Sequence, residues 1–349
     1  MSQDMTQIVA RFDALRSRFD TLYQQASLPD LSSALATLTS DIGKLPGEIA
    51  SVRSRGYAFA SYLEHKAEVL AQNWNNVRAD AQRAISDETN RLSSEVNRLR
   101  YRIDAAEGQR GNPNALQAEL PDLERGVQML ESMRNTAESR VKSIFATLQT
   151  DTAQALGQVQ SIKWYLDQKD EASFPFLAGE ALFLAAKAEW VATGKGKDDP
   201  DGILYLTDQR LVFEEKETTG KKLGLFGGHK TQKLEWELPL HQITGVKPEN
   251  KGLFGGKDML NFTLGSGAPY ANITVEVKGG VASKFWAAQI QRMIEGKTTD
   301  ERAIQPDAET LAAIKNAPTA CPSCGGTLPQ LVAGQHQVDC PYCGSVIRV

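Results

Sequence analysis

Histidine and cysteine are scarce in this chain of 349 residues, with four of each. The histidines, His65, His229, His241 and His336, are scattered, and no Ser/His/Asp set or metal–carboxylate spacing surrounds them. A general base needs an orienting partner within hydrogen-bond reach. The sequence therefore predicts no catalytic or cofactor-binding residues and no enzyme. Long hydrophobic runs are missing too: the longest, Phe174 to Ala186, is interrupted by Glu180 and is too short to span a bilayer. The opening Met-Ser-Gln-Asp-Met-Thr-Gln has neither the basic start nor the apolar stretch of a secretory signal. The expected location is cytoplasmic, with peripheral contact at the inner face of a membrane left open. Neither charge sign dominates, and the net charge of −4 argues against wholesale nucleic-acid binding. Gly194-Lys195-Gly196-Lys197 lacks the strand, spacing and Ser/Thr of a phosphate-binding loop and reads as a loop lysine cluster.

The length allows two or three domains, and three segments with different patterning are present. Residues 1–172 read as helix. Ile8, Phe12, Leu15, Phe19 and Leu22 make an amphipathic first helix that stops before Leu28-Pro29. A short helix from Asp30 to Lys44 is expected to end at Leu45-Pro46-Gly47. A long one then runs to Gly108, with Ile85, Leu92, Val96, Leu99 and Ile103 on one stripe. A turn at 108–114, with Asn112 or Asn114 placed to cap, leads to a helix of 3.5-residue period: Leu116, Leu120, Leu123, Val127, Leu130, Arg134, Ala137, Val141, Ile144 and Leu148. Two helices of roughly 50 residues predict an antiparallel coiled-coil hairpin about 75 Å long. Packing within one chain and self-association both account for the stripe. A loose first helix leaves apolar surface for a second copy to cover, so a homo-oligomer is expected.

From Phe174 to about residue 296 the pattern changes to glycine punctuation and β-branched or aromatic alternation. Strands are expected at Ala188–Ala192, Ile203–Leu206, Arg210–Glu214, Lys233–Leu238, Met259–Leu264 and Ile273–Val277. Turns are expected at residues 199–202, Gly227-Gly228, 247–250 (Lys-Pro-Glu-Asn) and 265–267. Val281 to Ile294, with Phe285, Trp286, Ile290, Met293 and Ile294, supplies one closing helix. The hairpin Gly202-Ile203-Leu204-Tyr205-Leu206-Thr207-Asp208-Gln209-Arg210-Leu211-Val212-Phe213 resembles that of GRAM and bacterial pleckstrin-homology domains. The segment Leu238-Pro239-Leu240-His241-Gln242-Ile243-Thr244-Gly245-Val246 is similar to a later strand of theirs. The resemblance covers about residues 176–296. It implies a small antiparallel β-barrel closed by one helix, a module that binds anionic lipid or protein, and no catalysis. The expected fold class is thus multidomain α plus β.

A near-repeat sits inside that segment: Leu223-Gly224-Leu225-Phe226-Gly227-Gly228-His229-Lys230 and Lys251-Gly252-Leu253-Phe254-Gly255-Gly256-Lys257. Residues 216–257 hold eight lysines against four glutamates. Leu225, Phe226, Leu253 and Phe254 as apolar tips, with Lys221, Lys222, Lys230, Lys251 and Lys257 as cationic collars, suit contact with an anionic membrane or a partner. The same residues also read as strands punctuated by bulges. Trp164-Tyr165, late in the helical half, read as packing rather than as a ligand cage.

After a linker at 297–318, all four cysteines fall within residues 319–349 as Cys321, Cys324, Cys340 and Cys343, the spacing C-x2-C-x15-C-x2-C. Two thiolate pairs on tight turns place four soft ligands around one structural Zn²⁺. Two disulfides are the alternative and need an oxidising compartment. Glycines follow each pair, and Pro322 and Pro341 stiffen the turns. His336 reads as a strand residue. The segment resembles the zinc ribbons, a match that names a metal and no specific task. With four thiolates no coordination position stays open for water, so the metal is structural. Together these features predict a non-enzymatic adaptor that oligomerises through its helices and docks on a membrane or protein. The alternatives are a nucleic-acid-associated regulator using the ribbon, which has only Arg348 as a basic residue, and a filament former.

Overall fold

The computed structural model describes residues 3–194, 198–219, 229–251 and 256–348. Its two compact units interleave along the chain: Met1–Pro46 with Glu64–Gly157, and Gly47–Leu63 with Gln158–Val349.

The helices are α1 (Gln3–Gln25), α2 (Pro29–Ser54), α3 (Tyr62–Glu107) and α4 (Pro113–Asp170). Within the first unit they bury one stripe each, because apolar residues at alternating three- and four-residue steps return to the same helix face. In α1 the stripe is Phe12, Leu15, Phe19 and Leu22, all buried. In α4, Leu123 and Leu130 are buried, while Ile144 is only half-buried and Phe145 takes its place. A 3.6-residue helix drifts in this way against a 3.5-residue repeat. Asn112 caps α4, its Oδ1 accepting from the Ala115 N–H at 3.3 Å.

Ion pairs report the register. Arg140 meets Glu88 at 2.8 Å and Arg102 meets Glu119 at 3.9 Å, so α3 and α4 run antiparallel. Arg11 with Glu124 at 2.9 Å and Arg18 with Glu131 at 2.8 Å set α1 parallel to α4. Arg16 with Glu107 at 2.8 Å sets it antiparallel to α3. Leu35 and Thr39 of α2 face Trp74 and Arg78 of α3 across a shallow cleft. The expected two-helix hairpin with a loose first helix is therefore corrected: α1 and then α2 lie along the hairpin as its third rod. Since the α1 stripe is buried within its own chain, the apolar surface on which the expected homo-oligomer rested is not exposed.

Helix α2 also departs from expectation. It runs through Pro46 to Ser54, because Leu45, Ile49 and Val52 continue the buried row of Leu31, Leu35, Leu38 and Ile42. That burial outweighs the roughly 3 kcal/mol a proline costs inside a helix. The helix instead breaks at residues 55–61, an irregular segment with Gly56 and Ala60 at positive φ, whose carbonyls the Arg53 guanidinium caps, at 2.8 Å to Tyr57 O and 2.9 Å to Ala60 O.

In the second unit seven strands form one antiparallel sheet in the order β4-β3-β2-β1-β7-β6-β5. They are β1 (Leu182–Trp190), β2 (Asp201–Thr207), β3 (Arg210–Thr219), β4 (His229–Pro239), β5 (Ile243–Lys251), β6 (Lys257–Leu264) and β7 (Asn272–Val277). Strands consecutive in sequence pair except β4 with β5, and β1 joins β7 through Ala188–Trp190 alone. The expected barrel is corrected: β4 and β5 are both edges, and the sheet stays open between them. Helix α5 (Ser283–Ile294) lies over β5, β6 and the 3-10 turn Leu240–Gln242, burying Trp286, Ile290 and Met293. Phe285, expected on that face, is 46% exposed. The turn expected at 247–250 is strand: Pro248 sits in β5 opposite Leu260, tolerated because an edge strand needs no donor on its outer side. Strand β1 starts six residues before the expected Ala188, which converts the apolar run after Phe174 into a strand buried on both faces. Gly202 is required sterically, since a Cβ there would lie 1.9 Å from the Glu214 carbonyl oxygen.

One face of the sheet holds Leu204, Leu211, Phe213, Trp236 and Leu238. The other packs Tyr205, Val212 and Leu182 with Phe174, and against these rest Trp164 and Tyr165 of α4. The bulge between Phe213 and Glu214 lets Leu234 join this second face while Trp236 stacks on Phe213.

The segment expected as a linker is partly docked. Ser61 N–H donates to Glu301 O at 3.0 Å, and Ala303 N–H donates to Ala58 O at 2.7 Å. The Arg302 guanidinium lies 5.2 Å from the Phe59 ring and also pairs with Asp208. Helix α6 (Ala308–Asn316) follows, capped by Asp307, and then β8 (Gln337–Asp339) pairs with β9 (Val346–Arg348).

Candidate metal centre and docking surfaces

Each cysteine pair sits on the same backbone device. Cys321 N–H donates to Gly326 O at 2.7 Å and Gly325 N–H to Cys321 O at 2.8 Å; Cys340 N–H donates to Ser345 O and Gly344 N–H to Cys340 O, both at 2.9 Å. Gly325 (φ 74°) and Gly344 (φ 71°) adopt the left-handed conformation that this tight turn requires. The second turn joins β8 to β9, and together the two bring the four Sγ atoms within 4.8 Å of one another. Cys321 and Cys343 are 3.7 Å apart, Cys324 and Cys340 3.6 Å. A ZnS4 tetrahedron with bonds of about 2.3 Å has edges of about 3.8 Å, so the donor set fits. A disulfide needs about 2.05 Å. Among the described residues His336 lies outside this cluster, exposed just before β8.

The local field favours thiolate at one corner. The hydroxyl and N–H of Ser345 hold Cys343 down to about 6. Cys324, although it receives the Gly326 N–H, is pushed up to about 12 by Cys343 and Cys340 beside it. Such crowding of sulfurs is what a divalent cation relieves. Cys321 and Cys340 are buried with Leu328, Leu331 and Val338, whereas Cys324 and Cys343 are exposed.

The cysteine-bearing segment is stitched to residues 176–178, just before β1. Leu177 bridges antiparallel to Val332, Ala178 N–H donates to Leu331 O, and Ala333 N–H donates to Phe176 O, both at 2.8 Å. The strap 174–180 is held by Arg210, which donates to Pro175 O at 2.7 Å and to both oxygens of Glu180. Sequence reasoning missed this hub, because a lone Glu and a lone Arg thirty positions apart carry no periodic signal.

Of the lysines expected to form collars, Lys251 is exposed with its Nζ 3.2 Å from Glu249, and Lys257 meets Glu276 at 2.6 Å, which raises its affinity for a proton. Lys221, Lys222, Leu225, Phe226, Leu253 and Phe254 lie outside the described residues. Lys230 is described by its backbone alone, opposite Thr218 in the β3–β4 ladder. Just after β7, Lys278 pairs with Glu189 of β1 at 2.6 Å and with Asp201 of β2 at 2.5 Å, and the Asp201 N–H donates to Glu217 of β3 at 2.7 Å. This charge network ties β1, β2, β3 and the residue after β7 together, and Lys278 had drawn no attention in the sequence.

No family model and no curated protein matches the chain. Several solved structures are similar to parts of it. The Vps36 N-terminal PH domain is 14% identical over 35% of this chain and 83% of that one, with a TM-score of 0.24. A DUF1696 family protein with a pleckstrin-homology domain from Shewanella loihica is 16% identical over 39% and 91%, at 0.21. The DH/PH domains of PDZ-RhoGEF, solved with GTP-γ-S-activated RhoA, are 15% identical over 84% and 96%, at 0.26. What the chain itself shows is one seven-stranded antiparallel sheet followed by helix α5.

Proposed function

We propose that the chain is a non-enzymatic adaptor. Its sheet unit docks on an anionic membrane surface or a partner protein, and its four-thiolate ribbon is a structural zinc module that completes the unit. The single observation carrying this reading is the joining of the ribbon to the strap 174–180 of a pleckstrin-homology-like sheet, which makes metal centre and sheet one docking body. Four sulfurs around the ion supply folding energy and leave no site for a reacting water. The two Gly-Leu-Phe-Gly-Gly loops supply the membrane term: each lysine near an anionic surface contributes about 1 kcal/mol, and the Leu-Phe tips bury in the interface. A cytoplasmic setting suits four reduced thiols. Self-association belongs to this reading only through surfaces other than the buried helical stripes.

Flotation with phosphatidylglycerol vesicles tests the membrane term. Wild-type protein is expected to float at low salt and to be released as salt shortens the screening length to about 8 Å. Lys221→Glu with Lys222→Glu should abolish flotation, and Phe226→Ala with Phe254→Ala should weaken it at an unchanged salt slope. Wild-type protein that stays soluble at low salt removes the membrane and leaves a protein-binding adaptor.

A further inference from the structure

Strand β4 is an edge, and among the described residues no chain pairs with its outer side. Beside it lies a cleft of about 500 Å³ that the described residues leave unfilled. One wall is β4, through Leu234, Glu237 and Pro239; the opposite wall is the ribbon loop, through Pro329 and Val332; Phe174 and Arg210 line the floor. Unpaired backbone on an edge strand and an apolar trough next to it are the two elements needed to add an extended peptide as an eighth strand. The bulge in β4 prepares the site, since it turns Leu234 towards Phe174 and away from the Trp236 side.

Charge selects the occupant. The Arg210 guanidinium is already neutralised by Glu180, which is fully buried, and it also touches Glu237. Arg210 and its two carboxylate partners, Glu180 and Glu237, together carry a net charge of −1; His241 also lines the cleft, and the carboxylate facing solvent is the 48% exposed Glu237 on the rim. An anionic segment meets repulsion there, and a segment with an arginine or lysine meets a half-solvated partner. We infer that the cleft between β4 and the ribbon loop binds an extended protein segment that places apolar side chains over Phe174 and Val332 and a basic side chain against Glu237. The inference deepens the adaptor reading by naming the chemistry of its protein partner. It is tested separately from the membrane term, since the described lining of the cleft lies mainly in β4, the strap 174–180 and the ribbon loop.

The test uses the full zinc-loaded chain and two fluorescein-labelled peptides, Ser-Val-Arg-Val-Ser and Ser-Val-Glu-Val-Ser, followed by anisotropy. The arginine peptide is expected to saturate, and the glutamate peptide to bind at least about tenfold more weakly. Glu237→Lys should invert that order, and Glu180 keeps Arg210 paired in the variant, so the fold survives, as circular dichroism should show. Hydrogen exchange should slow along β4 when the arginine peptide is present. Equal binding of the two peptides, no saturation of the arginine peptide at about 1 mM, or an order unchanged in Glu237→Lys overturns the inference. Vesicle flotation is scored separately, so failure here leaves the membrane term standing, and the converse also holds.

Discussion

The Arg210 guanidinium grips the Glu180 carboxylate along its edge, Nε to Oε1 and Nη2 to Oε2, both at 2.9 Å. Glu180 also accepts from the Thr207 hydroxyl at 2.7 Å and the Leu177 N–H at 2.6 Å, so its lone pairs are satisfied in a site from which water is excluded. Burial alone would pull the arginine down, yet the adjacent Glu180 and Glu237 hold its proton more tightly than usual. This pair pins the strap that carries the ribbon to the β2–β3 hairpin.

Breaking the pair from one side strands a buried charge. Glu180→Ala should cost about 3–5 kcal/mol, seen as a lower midpoint in urea unfolding of the sheet unit. Glu237→Gln should cost less than about 1 kcal/mol, because its carboxylate is half exposed. Equal costs for the two variants would show that the buried geometry is not what stabilises the strap.

Elemental analysis of protein purified under reducing, chelator-free conditions should find one zinc per chain. Cys324→Ser or Cys343→Ser should remove it and unfold the ribbon, since structural zinc supplies on the order of 10 kcal/mol to domains of this size. Far-ultraviolet circular dichroism should lose little, because the long helices do not depend on the metal. Less than half a zinc per wild-type chain would contradict the metal assignment.

Asp258 accepts from the N–H of Ser283 at 3.0 Å and from its hydroxyl at 2.9 Å, at the start of α5, and these bonds hold its carboxyl below the usual value. A carboxylate favoured in the folded state stabilises above the unfolded value of about 4, and the contribution is lost as pH falls through the lowered folded value. The melting-temperature gap between wild type and Asp258→Ala should therefore be constant from pH 7 to about 5 and close below about pH 4. A gap that persists at about pH 2.5 would locate its cause in packing rather than in the ionised carboxylate.

The sequence by itself determined what depends on local spacing. Four cysteines in two C-x2-C turns converge once a short hairpin forms, so the cluster of four sulfurs was legible to the residue. Three- and four-residue steps marked the faces of α1, α3 and α4, and alternation with glycine punctuation located most of the strands. Local spacing could not decide between Pro46 as a helix end and Pro46 inside a helix, because Ile49 and Val52 lie beyond it and their burial settles the matter. Tertiary structure alone decided the partners of surfaces. The same stripe on α1 can cover a second copy or its own hairpin, and it packs against the hairpin, where burial of Phe12, Leu15 and Phe19 supplies the energy and the exposed pairs of Arg11, Arg16 and Arg18 with Glu124, Glu107 and Glu131 mark the register. The sheet remains open at β4 and β5, with α5 laid over the β5 side, where Trp286 and Ile290 are buried. The docking of the ribbon on residues 176–178 rests on backbone hydrogen bonds, which side-chain identity does not encode, and for that physical reason the cleft beside β4 could be seen only in three dimensions.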